Sequence, residues 1–244
     1  AYAAGAGLSL GYLSASWGAT RYPLDMTVLF VLVLLLTRRY SSRLFLSYGT
    51  CFGLALLISA SVPRLGTGFL REISVLPVYG VFLLMCVFEI YPRMKTRRLK
   101  ILGAAFFIAL VVVALSSLWI LGYFQALGSK YISVLNPFER ASIPLIESVA
   151  EHKPSAWGVF YYDFGVLSFL VPIGLFFAVQ MATNRSLFLT IFTLTSIYFA
   201  SSMVRLTLIM APAVCLVCAL GSVRLMKPFV MLLKESPPVS RRKI

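Results

Sequence analysis

The densest group of ionisable side chains in this sequence lies between 143 and 157, in the stretch IPLIESVAEHKPSAW. It contains Glu147, Glu151, His152 and Lys153, whereas the chain around it is mostly apolar. One carboxylate and one imidazole cannot hold a metal ion alone, so Mg²⁺ or Mn²⁺ at Glu151 would need further carboxylates from elsewhere. Spacing alone leaves two alternatives: Glu151 belongs to such a site, or it is a solvated loop residue, as His152 beside Lys153 is by default.

Arg205 is the second polar residue that needs an explanation, because it interrupts the apolar stretch IYFASSMVRLTLIMAPAV. An arginine there is costly unless an anionic group meets it. Its planar guanidinium can bind a phosphate or a carboxylate through two parallel hydrogen bonds. The alternative is a turn arginine whose side chain extends to the lipid headgroups.

The composition identifies the elements that must position these residues. Of 244 residues, 60% are hydrophobic and only 12% are charged, about half the charge of a soluble domain. The mean hydropathy is +0.91, and apolar stretches long enough for membrane-spanning helices recur along the chain. We therefore predict an all-α fold, a polytopic transmembrane helix bundle.

We predict eight spans and one long loop. The net charge of +14 comes from short basic runs between apolar segments, a pattern that reports orientation and contact with anionic membrane lipid rather than nucleic acid. These runs place the C-terminus in the cytoplasm and the 124–158 loop outside. The predicted spans are 2–18, 23–37, 44–62, 73–90, 101–123, 159–182, 187–203 and 206–223.

The remaining acidic residues have simpler interpretations. Asp25, Glu89 and Asp163 lie near the ends of predicted spans, where they can face the headgroups. Glu72 follows Arg71 and can pair with it.

Four motifs, in the same order, resemble the catalytic subunits of oligosaccharyltransferases. SVAEHKPSAW is similar to the S-V-S/A-E-H-Q-P-x-x-W stretch of the family's fifth external loop, and FASSMVRLTLIMAPAVCL to its F-A-x-V-M-V-R-L-M-L-x-L-A-P-x-x-C segment. SASWGATRYPLD is similar to A-W-G-G-Y…N-L-I-P-L-H, and LISASVPRLGTGF to L-S-x-Q-I-P-x-V-G-F. The resemblance covers nearly the whole of 1–244.

The resemblance implies a thirteen-span membrane glycosyltransferase fold, in which the eight spans are the fifth to the twelfth. The 124–158 loop then takes the place of the fifth external loop. We expect the family's acidic upstream loops and its downstream soluble domain to lie outside this sequence, which alone should be inactive.

The resemblance also implies roles for individual residues. Glu151 becomes the loop carboxylate that contacts the acceptor asparagine and contributes to a Mn²⁺ or Mg²⁺ site, and His152 belongs to the same substrate-binding motif without a defined role. Arg205 becomes the residue that faces the pyrophosphate of the lipid-linked oligosaccharide donor. Bacterial relatives carry a basic residue where this chain has Asp163, so we expect a plain Asn-x-Ser/Thr acceptor.

The implied function is protein N-glycosylation, by inverting transfer of a glycan from a polyprenyl or dolichyl (pyro)phosphate to asparagine. The alternatives are another membrane glycosyltransferase that uses lipid-linked sugars, and a transporter or non-catalytic scaffold. The partners would be donor lipid, acceptor polypeptide, membrane lipid and other subunits of a transferase complex. The active site would face the extracytoplasmic side, and the low asparagine and glutamine content favours an archaeal cell membrane over the endoplasmic reticulum.

Overall fold

A computed structural model describes residues 1–120, 122 and 153–235 of this chain. These residues form α-helices and short 3₁₀ turns and contain no β-strand, so the predicted all-α class is confirmed. The nine α-helices in the described ranges are α1 (Tyr2–Ser16), α2 (Arg21–Leu36), α3 (Ser42–Ser61), α4 (Leu76–Ile90), α5 (Arg97–Ile120), α6 (Trp157–Phe164), α7 (Leu167–Met181), α8 (Asn184–Ser202) and α9 (Thr207–Glu235).

Among the described residues, five helical segments are long and apolar enough to cross a membrane, and the bent pair α6 and α7 is a sixth if it counts as one span. The chain is therefore an integral membrane protein built as a bundle of transmembrane helices. The number of eight spans stays a prediction, because α1 and α8 are not among these segments. The five are Gly18–Leu36, Ser42–Ser61, Ile73–Arg93, Arg97–Ser117 and Val204–Leu232.

Helix α8 is less apolar because it is rich in serine and threonine, but its hydroxyl groups bond within the helix. Thr190 donates to the carbonyl of Ser186 at 2.9 Å, and Thr193 donates to that of Leu189 at 2.8 Å. A hydroxyl that bonds to its own helix needs no water. These side chains are therefore compatible with a membrane-embedded α8.

The chain divides into two compact units, Ala1–Tyr131 and Ile132–Ile244. The core of the first unit lies between α2, α3 and α4. Inward side chains of α2 recur every three or four residues, the spacing of one helical face. Tyr48 of α3 donates a hydrogen bond to the carbonyl of Val78 on α4, at 3.0 Å. The buried residues of this core include Leu24, Val28, Val31, Leu35, Phe52, Phe69, Val75, Val81 and Met85.

The core of the second unit lies between α6, α7, α8 and α9 and includes Phe160, Val171, Ala200, Met210, Val214, Val217 and Cys218. Helices α7 and α9 come closest at two glycines. A Cβ atom at Gly174 would lie 2.1 Å from the carbonyl oxygen of Val217, and one at Gly221 would lie 3.0 Å from the Cα of Gly174. Larger residues at these positions would force the two helices apart.

The segment predicted as one span over 159–182 is broken. Helices α6 and α7 meet at an angle of 91°, and Gly165 between them has φ +53° and ψ −131°. Glycine adopts this conformation without the steric cost that a Cβ atom would impose. The bend separates a short helix, α6, from the longer apolar helix α7.

The suggested ion pair between Arg71 and Glu72 is wrong. Glu72 instead binds Arg21 at the start of α2, with Nε to Oε2 at 2.8 Å and Nη2 to Oε1 at 2.7 Å. The guanidinium presents two parallel donors to the two carboxylate oxygens, a geometry that adjacent residues rarely reach. The pair holds the connection before α4 against the first turn of α2.

Candidate functional site

Arg205 lies in the 3₁₀ turn Val204–Leu206 that joins α8 to α9. Met203 has an extended backbone, with φ −154° and ψ 122°, which ends α8. The Arg205 side chain is exposed, whereas Met203 and Leu206 are each only 8% exposed. The turn is thus anchored by its apolar neighbours, and Arg205 between them is exposed.

Hydrogen bonds join this turn to the segment 153–155, which precedes α6. The Val204 N–H donates to the Lys153 carbonyl at 3.1 Å, and the Ser155 N–H donates to the Ser201 carbonyl at 3.0 Å. The Ser155 hydroxyl donates to the carbonyl of Ala200. Pro154 lies between the two bonded positions and favours an extended backbone at Lys153. Three bonds therefore attach the segment 153–155 to the residues just before Arg205.

Glu151 and His152 lie outside the described residues, so their predicted roles in catalysis, substrate binding and metal binding stay predictions. In the sequence they directly precede the attached segment. The structure thus brings together the turn of Arg205 and Lys153, which follows Glu151 by two residues in the sequence. Sequence reasoning missed this attachment because it runs through backbone groups and Ser155, which no charge pattern marks.

Helix α6 follows the attached segment and carries exposed aromatic side chains. Trp157 is 80% exposed, Tyr161 is 55% exposed and Tyr162 is 89% exposed. Tryptophan and tyrosine with exposed rings are typical of the membrane–water interface. The sharp bend at Gly165 gives α6 a direction suited to lying along that interface, at the same end of the unit as Arg205. In the sequence, the aromatic stretch WGVFYY could have indicated this helix with exposed aromatic side chains.

The acidic residues near the span ends have different environments. The carboxylate of Glu89 accepts hydrogen bonds from Tyr40 and Arg93, so it is well satisfied. Asp163 is exposed on α6. Asp25 is half-buried on α2, and its Oδ1 atom has no hydrogen-bond partner among the described residues.

The described residues contain no group of three or more His, Cys, Asp or Glu side chains that could hold a metal ion. Mn²⁺ and Mg²⁺ are held by several oxygen ligands. Residues 1–120 and 153–235 therefore do not form such a site by themselves.

A model of the family described as oligosaccharyl transferase STT3, N-terminal, matches residues 1–218. The chain is 34% identical over 241 residues to the dolichyl-diphosphooligosaccharide–protein glycosyltransferase subunit STT3B of Arabidopsis thaliana, covering 94% of this chain and 32% of that protein. It is 31% identical over 228 residues to subunit STT3 of Dictyostelium discoideum, covering 90% and 32%.

A third relative is subunit stt-3 of Caenorhabditis elegans, 31% identical over 222 residues, which are 88% of this chain and 29% of that protein. The chain spans about a third of the length of these relatives. The range matched by the family model includes Glu151, His152 and Arg205.

Proposed function

We propose that this chain is the membrane-embedded part of a protein N-glycosylation enzyme. The chain belongs to the oligosaccharyl transferase STT3 family. The enzyme would transfer an oligosaccharide from a dolichyl or polyprenyl (pyro)phosphate to the asparagine of Asn-x-Ser/Thr acceptors. The observation that carries this proposal is the hydrogen bond between Val204 and Lys153 at 3.1 Å. This bond keeps the segment that follows Glu151 in the sequence beside the turn that contains Arg205. A single site that binds both donor and acceptor requires these two segments to lie close together.

Arg205 would bind the leaving group. Its exposed guanidinium on an anchored turn can meet two phosphate oxygens with parallel N–H donors. Negative charge grows on these oxygens as the sugar leaves the pyrophosphate. A fixed cation near that charge lowers the barrier because it needs little reorganisation during the reaction.

Glu151 would bind the acceptor. A carboxamide nitrogen is a poor nucleophile because its lone pair is delocalised into the carbonyl group. A carboxylate that accepts hydrogen bonds from this amide orients the nitrogen toward the anomeric carbon. Two residues of extended chain cover at most about 7 Å, so the link at Lys153 limits how far Glu151 can lie from the Arg205 turn.

In the proposed reaction, the amide nitrogen forms a bond to the anomeric carbon of the first sugar. The bond from that carbon to the phosphate oxygen breaks, and its electron pair leaves with the lipid pyrophosphate. One amide proton passes to a carboxylate or to water. Attack opposite the leaving group would invert the anomeric configuration.

We further propose that Glu151 supplies one ligand to Mn²⁺ or Mg²⁺, with further carboxylates from outside the described residues. Such an ion would contribute positive charge near the phosphates. Electron paramagnetic resonance titration of the full-length protein with Mn²⁺ tests this assignment without relying on turnover. Weaker Mn²⁺ binding by Glu151→Ala supports it, and unchanged binding removes Glu151 from the metal site.

The site would face the extracytoplasmic side of an archaeal cell membrane or of the endoplasmic reticulum. The exposed aromatic residues of α6 support a position at the membrane surface. His152 would belong to the same substrate-binding motif as Glu151. The names of the relatives as subunits support further partner subunits in a complex.

The experiment combines full-length enzyme, a lipid pyrophosphate-linked oligosaccharide and a fluorescent peptide that contains Asn-Ala-Thr. Peptide that gains the whole oligosaccharide, with no product from the matched Gln-Ala-Thr peptide, supports the proposal. Transfer from a lipid-linked monosaccharide alone would favour the other glycosyltransferase class. Absence of any covalent product with an intact, folded enzyme would leave a transporter or scaffold and would contradict the proposal.

A further inference from the structure

A groove of about 410 Å³ opens between α7 and α9 in the second unit, away from the Arg205 turn. This volume falls in the range of small-molecule sites. One wall comes from the last turns of α7 and the other from the second half of α9. The residues that matter for the argument are Phe177, Gln180, Met181, Arg224, Lys227 and Met231.

The groove exists because of the close crossing of the two helices. They touch at Gly174 and Gly221, where no side chain separates them. Past this contact the glycines give way to large residues, beginning with Phe177 and Arg224 one turn further along each helix. These large side chains line a cleft next to the glycine contact.

The cleft carries positive charge that no described residue neutralises. Arg224 and Lys227 are three residues apart, so they project from one face of α9. Neither forms an ion pair or a hydrogen bond with any residue in the described ranges. The acidic residues of 153–235 are Asp163, on α6 before α7 begins, and Glu235, two turns beyond Lys227. The cleft is therefore electropositive.

The rest of the lining is apolar and suits a hydrocarbon chain. Phe177 and Met181 line the α7 side, and Met231 lines the α9 side. Methionine adapts its shape readily to flexible apolar ligands. A ligand that fits this lining has an anionic head and an apolar body.

The position of the cleft along α9 matches the depth of a headgroup. From Thr207, next to the Arg205 turn, to Arg224 the helix rises about 25 Å. A hydrocarbon core is about 30 Å thick, so Arg205 and Arg224 lie near opposite surfaces of the membrane. The basic run that contains Arg224 and Lys227 marks the predicted cytoplasmic side, whose leaflet is rich in anionic lipid.

We propose that this groove binds one anionic phospholipid of the cytoplasmic leaflet, with its phosphate between Arg224 and Lys227 and a hydrocarbon chain along Phe177, Met181 and Met231. The site is separate from the one proposed for the glycan donor. It would contact both α7 and α9, because residues of both helices line the groove.

Native mass spectrometry of the full-length protein in nanodiscs tests the proposal. The nanodiscs contain phosphatidylcholine with increasing fractions of phosphatidylglycerol. After the protein is released from the nanodisc, the number of phosphatidylglycerol molecules that stay bound to it is counted. We expect one tightly retained phosphatidylglycerol, and about tenfold weaker retention in the double variant Arg224→Gln/Lys227→Gln. Phosphatidylcholine should not be retained in its place.

The matched control is Arg43→Gln/Arg185→Gln, which removes the same charge from exposed positions that do not line the groove. It should retain phosphatidylglycerol normally. Met231→Trp fills the apolar part and should weaken retention while both cations remain. Inorganic phosphate alone should not protect the protein from heating, because it lacks the hydrocarbon chain.

Equal retention by the Arg224→Gln/Lys227→Gln variant and its control would overturn the proposal. Equal retention of phosphatidylglycerol and phosphatidylcholine by the unaltered protein would also overturn it, as would a groove filled by a protein helix in the full-length structure. A cooperative thermal unfolding transition, measured without added lipid, shows that each variant is folded. None of these outcomes depends on glycosyl transfer.

Discussion

The backbone N–H of Val204 donates a hydrogen bond to the carbonyl of Lys153 at 3.1 Å. This bond joins two segments that are about fifty residues apart in the sequence. It attaches Lys153, two residues after Glu151 in the sequence, to the residue that precedes Arg205. The segment that follows Glu151 in the sequence is therefore held beside the arginine turn.

Ser155 should contribute to this attachment through its hydroxyl, which donates to the Ala200 carbonyl. Ser155→Ala removes that bond at a cost of about 1 kcal/mol. The backbone bonds remain, so we expect peptide glycosylation to fall several-fold rather than vanish. The measurement is kcat/KM for the acceptor peptide with the full-length enzyme.

Ser201→Ala is the matched control for Ser155, because the Ser201 hydroxyl bonds within its own helix, to the carbonyl of Ile197 at 2.7 Å. It should glycosylate at nearly the normal rate. If both variants lost activity equally, the Ser155 hydroxyl would have no special part in the attachment.

Arg205 should act mainly on the donor. Arg205→Ala removes the guanidinium from an exposed position in the turn, and the backbone bonds that shape the turn remain. We expect a large rise in KM for the lipid-linked oligosaccharide and a fall in kcat, because the cation serves both binding and the leaving group. Arg205→Lys should recover part of the loss. An unchanged donor dependence would make Arg205 a structural residue.

Gly174 should be among the positions least tolerant of a larger side chain. A Cβ atom there would lie 2.1 Å from the Val217 carbonyl oxygen, and a backbone atom cannot move away without shifting α9. Gly174→Ala should therefore destabilise the protein by about 1–3 kcal/mol. Gly158→Ala, where a Cβ atom meets nothing within 4 Å, should be neutral or slightly stabilising. Thermal unfolding in detergent compares them, and equal stability would contradict the close crossing.

The partner of Glu72 can be identified by a double-mutant cycle. Glu72→Gln and Arg21→Ala should show a coupling free energy of about 1 kcal/mol, as expected for a half-exposed pair with two parallel hydrogen bonds. Glu72→Gln and Arg71→Ala should show no coupling, although Arg71 is adjacent in the sequence. Coupling to Arg71 rather than Arg21 would contradict the structure.

The sequence was sufficient to predict the fold class and the family, because both depend on features that are local in the chain. Apolar stretches of membrane length indicate helices, and the motifs around Glu151 and Arg205 indicate the family. The pairing of Glu72 and the attachment at Ser155 depend on residues distant in the sequence. Neighbouring charges or loop polarity cannot reveal such contacts.

The bend at Gly165 was missed for a different reason. The residues on both sides are apolar, so hydropathy continues through the break and predicts one span over 159–182. Only the backbone conformation of Gly165, with φ +53°, separates α6 from α7. A glycine after the aromatic WGVFYY stretch was the available signal, and glycine alone does not distinguish a bend from a helix contact such as Gly174.

The most direct test of the central claim is the turnover of Glu151→Ala in the full-length enzyme, measured as glycopeptide formed from an Asn-Ala-Thr peptide. Glu151→Gln keeps the size of the side chain and removes its charge, and Lys153→Ala serves as the matched loop control because its role runs through the backbone carbonyl. We expect that Glu151→Ala nearly abolishes glycosylation, that Glu151→Gln recovers little, and that Lys153→Ala stays close to normal at unchanged expression. Near-normal turnover by Glu151→Ala would contradict the account, since the loop attached beside Arg205 would then carry no catalytic carboxylate.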